Sequence, residues 1–333
     1  MICENVEMHN IAEVKKLWNG SLQMQRVPEN VRKFLNEGAQ LRSLSSANSE
    51  IRFICDSPRA KISLSSANGD DVFHVAYGNF ISPASYPIIG SPITYEFEIP
   101  ENIRCLKPGR HYAFDPRVFR ILLPRKNIVF FKAEGENLRP PELSLLPKKR
   151  YLAYGTSITE GGAATRPHLA YAAQTARALG MDLINLGMSG SCHCEPEMAE
   201  YIAGRDDWDI ATLCLSVNMM GDFTTDEFRK RVTYFVNTVA GSNIKRPVIC
   251  ITMFPYFVGL SSNHLKEEEK ASAFRQILRE AAAACPYKNV QAAEGPELLD
   301  TPDGLSFDLI HPNDYGMKRI AENLTLILKS LII

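Results

Sequence analysis

From Tyr151 onward the chain alternates short apolar runs with amphipathic or Ala-rich stretches, and this constrains the fold more than any other feature. The runs Tyr151–Tyr154, Asp182–Leu186, Asp209–Leu215 and Pro247–Met253 have the length and near-continuous apolar character of strands buried on both faces. A weaker fifth run begins at Asn289. Between them lie helix patterns at His168–Gly180, Pro196–Ile202, residues near 225–240, and Leu265–Ala284. A last helix is expected to begin at Pro312, a favourable first-turn residue, and to run toward Leu331. Five strands alternating with helices predict an α/β domain with a parallel sheet covered on both faces.

The first half reads differently. Strand signals recur at Ile51–Cys55, Lys61–Ser65, Val72–Tyr77, Ile93–Ile99, Val118–Leu123 and Ile128–Phe131, with Gly, Pro, Asn or Asp between them. Several alternate apolar with polar, and no helical pattern intervenes, so an all-β sandwich or jelly roll is expected. Residues 11–43 read as an entry segment without strong periodicity. The proline-rich stretch Leu138–Pro147 reads as a linker. The expected boundaries are therefore 1–147 for the sandwich, linker included, and 148–333 for the α/β domain. His74 and His111 stand alone and read as structural. Tyr77, Phe80, Tyr86, Tyr95 and Tyr112 read as core more readily than as a sugar-stacking face.

A net charge of −1 gives no electrostatic case for nucleic acid or an anionic membrane as partner. No apolar run approaches the roughly 20 residues a spanning helix needs. The N-terminal residues lack the basic and apolar regions of a signal peptide, so a cytoplasmic location is expected. The eight cysteines form no disulfide framework. Cys214 and Cys250 lie within strand signals, and Cys192-His193-Cys194 lacks the spacing of a zinc site. Neither a metal nor a cofactor is called for.

Three chemistry-bearing features fall just after the first three strands of the second half. Ser157 follows the first, Asn185-Leu-Gly-Met-Ser-Gly190 the second, and Ser216-Val-Asn218 the third. In a doubly wound sheet of order 2-1-3-4-5 these strand ends are neighbours at the switch point. The set suits acyl transfer. Ser157 would attack an ester carbonyl, and the N–H groups of Ser157 and Gly190, with the Asn218 amide, would donate to the oxyanion. Such donors are worth about 2.7–4 kcal/mol each when removed singly. Glycine suits position 190 because backbone must approach the substrate there. His311 supplies a base, and Asp308, three residues earlier, would orient its imidazole. Alone, Asp308 and His311 read as caps of the last helix; with the other three in this order they read as catalytic. Glu195 and His193, just past Gly190, are candidate substrate-binding residues, although Glu195 could equally support the next helix.

Gly155-Thr-Ser157-Ile-Thr, Asn185 with Ser189-Gly190, Val217-Asn218, and Asp308-x-x-His311-Pro resemble the four ordered motif blocks of the SGNH (GDSL-like) hydrolase superfamily. The resemblance covers residues 150–330. It implies a three-layer αβα, flavodoxin-like fold, Ser157 as nucleophile, Asp308 and His311 completing the triad, and an oxyanion hole from Ser157, Gly190 and Asn218. The string from Asn185 to Ala199 looks like the subgroup with a β-sandwich before the hydrolase domain. The chain departs from the common pattern at Thr156 and Met219, where many members carry Asp, and at Ile158, where many carry Leu.

A serine esterase acting on a small or carbohydrate-linked acyl ester, acetyl among them, is the leading expectation. An acyltransferase with the same serine chemistry is the second. A carbohydrate-binding protein with an inert hydrolase half is the third. The sandwich has three roles open to it: binding substrate, walling the site, or pairing chains into a homo-oligomer.

Overall fold

The structure is a computed structural model that describes residues 1–107 and 112–332; His111 and the turn at Pro108-Gly109 lie outside the described residues. The chain forms two compact units: Met1–Glu29 with Ser43–Lys149 and Gly180–Asp182, and Asn30–Arg42 with Arg150–Leu179 and Leu183–Ile333. The short segment 30–42 thus folds with the second unit, although the sequence joins it to the first.

The first unit holds a six-stranded and a five-stranded antiparallel sheet. Alternate residues of both point into one core, with Ile51, Phe53, Phe73 and Phe119 from one sheet and Leu22, Met24, Ile62 and Phe130 from the other. All six expected strands are present within a few residues. The structure adds Ile2–Cys3, Val6–His9, Glu13–Lys16, Leu22–Gln25 and Phe80–Ile88. The last carries Pro83 and Pro87, which the edge position of this strand tolerates. Part of the expected entry segment, Glu13–Lys16 and Leu22–Gln25, is therefore sheet. Tyr86 and Tyr95 pack on Phe73 and Phe97, which places them with the core. His74 is buried, its Nδ1 3.2 Å from Ala84 O.

The second unit is the parallel sheet, with strands β1 (Arg150–Gly155), β2 (Asp182–Gly187), β3 (Ile210–Cys214), β4 (Val248–Ile251) and β5 (Val290–Ala293) in the order β2-β1-β3-β4-β5. Asp182, the first residue of β2, groups with the first unit. Among its helices are α1 (Glu37–Arg42), α2 (Ser157–Glu160), α3 (Tyr171–Leu179), α4 (Pro196–Ala203), α5 (Thr225–Ser242), α6 (Leu265–Ala283), α7 (Gly295–Leu298) and α8 (Asp314–Lys329). Helices α4, α5 and α6 form one layer and α3, α7 and α8 another. Phe228 of α5 stacks on Phe274 of α6, and Tyr154 of β1 stacks on Phe235. Helix α8 buries Met317, Ile320, Ala321, Leu324 and Leu328, the stripe expected of a helix on a sheet. It starts later than expected: Asn313 is the N-cap, accepting from Gly316 N–H at 3.0 Å, so Pro312 precedes the helix. No helix among the described residues is long and apolar enough to cross a membrane.

Candidate active site

Strand β1 ends in Gly155, where an added Cβ would lie 2.8 Å from Cys214 O on β3, so only glycine lets the two strand ends close up. Thr156 then caps α2, its hydroxyl accepting from Ile158 N–H at 3.4 Å. This leaves Ser157 as the first helical residue, with an N–H that no helical carbonyl can satisfy. Gly161, at φ +97°, ends the helix after one turn.

Ser157 Oγ lies 2.8 Å from His311 Nε2, and His311 Nδ1 lies 2.7 Å from Asp308 Oδ2. The other Asp308 oxygen accepts from the backbone N–H groups of Ile310 and His311 and from the Ser306 hydroxyl. Partial burial pushes the Asp308 carboxyl up, but these hydrogen bonds, the His311 ring first, hold it well below the usual carboxylate range. An ionised Asp308 makes Nδ1 the donor, so Nε2 accepts the Ser157 proton. The loop is closed by Ser306 N–H to His311 O at 2.7 Å and by Asn313 Nδ2 to Leu305 O at 2.9 Å. Gly162 is packed against it, since an added Cβ there would lie 3.0 Å from His311 Cδ2.

The β2 and β3 ends bring the other two candidates. Asn185 Nδ2 donates to Thr159 O at 2.7 Å, and Met188 N–H to Gly155 O at 2.8 Å, which ties the β2 loop to β1. Gly190 has φ +68°, and a Cβ there would meet nothing within 4 Å. Its backbone conformation therefore favours glycine on its own account. Asn218 Oδ1 accepts from Cys192 N–H at 3.2 Å, which turns Nδ2 away from that loop as a donor. Ser216, just before it, has φ +137°, a strained value for a non-glycine residue. Among the described residues the Ser157 N–H, the Gly190 N–H and Asn218 Nδ2 have no acceptor.

His193 lies half-buried against Phe223, with ring centroids 5.1 Å apart. Glu195 is the N-cap residue of α4 but makes no side-chain cap; it accepts hydrogen bonds from Asn36 instead. Cys192 and Cys194 are both buried. A pocket of about 290 Å³, open mouth included, is lined by Ile158, Val217, Met253, Phe254, Tyr256 and Ile310 among others. Its lining includes the sequence neighbours of Ser157, Asn218 and His311, and most of the side chains named are apolar.

Sequence reasoning missed Asn36, Arg42, Glu160 and Gly162. The Gly161-Gly162 pair and the carboxylate three residues after Ser157 were visible signals for the last two. Nothing local marked the first two.

A sequence model of the GDSL-like lipase/acylhydrolase family matches residues 148–329, more than half of the chain. The chain belongs to this family. Its fold is that of other GDSL-like and carbohydrate-esterase structures. The salicylyl-acyltransferase SsfX3 from a tetracycline biosynthetic pathway aligns with a TM-score of 0.81 at 17% identity, covering 98% of this chain and 95% of that one. A chain assigned as a GDSL-like lipase from Bacteroides ovatus gives 0.71 at 21% identity, with 98% and 95% covered. A family two carbohydrate esterase from Cellvibrio japonicus gives 0.68 at 14% identity, again with 98% and 95% covered. No curated protein matches the chain.

Proposed function

We propose that this GDSL-like acylhydrolase is a serine esterase that cleaves a small or carbohydrate-linked acyl ester, acetyl first among them. The observation that carries the reading is the unbroken hydrogen-bond chain Asp308–His311–Ser157, at 2.7 and 2.8 Å. As Ser157 Oγ attacks the carbonyl carbon, its proton passes to His311 Nε2. The carbonyl oxygen becomes an oxyanion and accepts from Ser157 N–H, Gly190 N–H and Asn218 Nδ2. His311 then protonates the leaving alcohol oxygen as its bond to the acyl carbon breaks, which leaves an acyl-serine. Water repeats the sequence, with His311 as base, and releases the acid. Asp308 holds the imidazole in the required tautomer and stabilises its cation. The pocket lined by Thr156 and Ile158, the sequence neighbours of Ser157, supports a compact acyl group. The fold likeness to a family two carbohydrate esterase supports a sugar-linked alcohol part.

Replacing water by another alcohol in the second step makes the same machinery an acyltransferase. The likeness to a salicylyl-acyltransferase favours this second reading. The test is intact mass after a fluorophosphonate probe, with peptide mapping, followed by product analysis on acetyl esters with competing alcohols. One adduct on Ser157 and free acid as product support the esterase; acyl transfer to the alcohol supports the second reading. No adduct on folded protein overturns both.

A further inference from the structure

The loop carrying Gly190 is held by side chains that the reaction above leaves unused. Glu160 Oε2 accepts Ser189 N–H at 3.1 Å. The other holds come from α1, from the residue before it and from Ser191 of the loop itself. Arg42 Nε donates to Ser189 O at 3.1 Å, and the Ser191 hydroxyl donates to the same oxygen at 3.2 Å. Asn36 Oδ1 accepts Ala39 N–H at 3.0 Å at the start of α1, which turns Nδ2 toward the loop. That amide donates to Ser191 O at 3.0 Å and to Glu195 Oε1. An added Cβ on Gly38 would collide with Ser191 Oγ, so the α1 backbone lies directly against this loop.

The decisive point is covalent. Ser189 C=O and Gly190 N–H belong to one planar trans peptide, so they point in opposite directions. Fixing Ser189 O fixes the direction of the Gly190 N–H. Gly190 lies in the left-handed region, where a glycine-flanked peptide turns over more readily than one flanked by a β-carbon. We infer that Arg42 and Asn36 are positioning residues for the oxyanion site: Arg42 sets the peptide that bears the Gly190 donor, and Asn36 secures the carbonyl on its other side. The inference rests on the esterase reading, since it assigns a task to residues around the donor invoked there.

The test compares wild type, Arg42→Ala, Arg42→Lys and Asn36→Ala on p-nitrophenyl acetate, with fluorophosphonate labelling and the affinity of a boronic acid that mimics the tetrahedral state. Arg42 is exposed, so its removal spares the fold. The expected result for Arg42→Ala is a fall in kcat of about tenfold to a hundredfold. KM should stay within about twofold, boronate affinity should drop in parallel, and Arg42→Lys should recover part of the loss. Asn36→Ala should behave alike; if it fails to fold, the Arg42 pair decides. A wild type that turns over and labels, with Arg42→Ala equal to it, overturns this inference alone. A wild type that neither labels nor turns over overturns the esterase reading and this one with it.

Discussion

Each unit holds a carboxylate well below its ordinary range, and the two do so for different ends. In the first unit Asp182 accepts from both terminal nitrogens of Arg52 at 2.7 Å, and Arg52 Nε donates to Glu50 at 2.7 Å. Arg120 donates to Glu50 as well and lies over the Phe114 ring. Arg52 and Asp182 are 1% and 2% exposed, so these charges persist only because each meets another. In the second unit Asp308 is exposed, meets no arginine among the described residues, and ends its chain on an imidazole and a hydroxyl. A depressed carboxyl is therefore no mark of function by itself. The first network closes on charges, whereas the second opens on a group that can give up a proton.

The largest effect that separates the two belongs to the open end. Ser157→Ala should lower kcat by at least about 10⁴-fold while leaving the melting temperature unchanged; turnover near wild type would remove the nucleophile assignment. The mirror experiment is Arg52→Ala, which takes from the buried Asp182 its bidentate partner and leaves His9 beside it. It should cost about 3–5 kcal/mol in urea unfolding, while the kcat of the folded fraction stays near wild type. A small stability loss there would mean that water or rearrangement compensates Asp182. Asn218→Ala comes next, with a loss of about 10²–10³ in kcat and little change in stability, because its Oδ1 bond to Cys192 is half-exposed. A loss confined to KM would make Asn218 a substrate contact rather than an oxyanion donor.

The parallel sheet could be read from the chain because strands buried on both faces are near-continuous apolar runs, and Met317 to Leu328 repeats at helical spacing. The expectation for Ser157, Gly190 and Asn218 rested on this topology, in which the ends of the three strands that precede them lie side by side. The clamp around Gly190 could not be read from the chain. Asn36 and Arg42 lie in the stretch 11–43, which has no strong periodicity, and no local pattern announces a partner 155 residues away. The missed sandwich strands have a related cause. Leu22–Gln25 alternates correctly but holds no β-branched or aromatic residue, and Phe80–Ile88 carries two prolines that argue against a strand until its edge position is known. Glu7, Glu50 and Arg52 look like solvated strand positions, since charge at period two normally faces water.

The smallest effect expected sharpens the comparison through pH. Burial raises the Glu50 carboxyl, but the Arg120 and Arg52 charges more than offset this and bring it down to about 2. Asp182 is lowered too, by Arg52 and then His9, against its burial. A carboxyl lower in the folded than in the unfolded chain stabilises the fold above its unfolded value, and this is lost as pH falls toward the folded one. For Glu50 the window runs from about 4.5 down to about 2, with a loss on the order of 3 kcal/mol. The urea midpoint should therefore decline across that window. Glu50→Gln should start less stable at neutral pH and decline less steeply. Equal slopes in the two proteins would mean that Glu50 is not held as an anion by its arginines. The contrast would then rest on Asp182 alone.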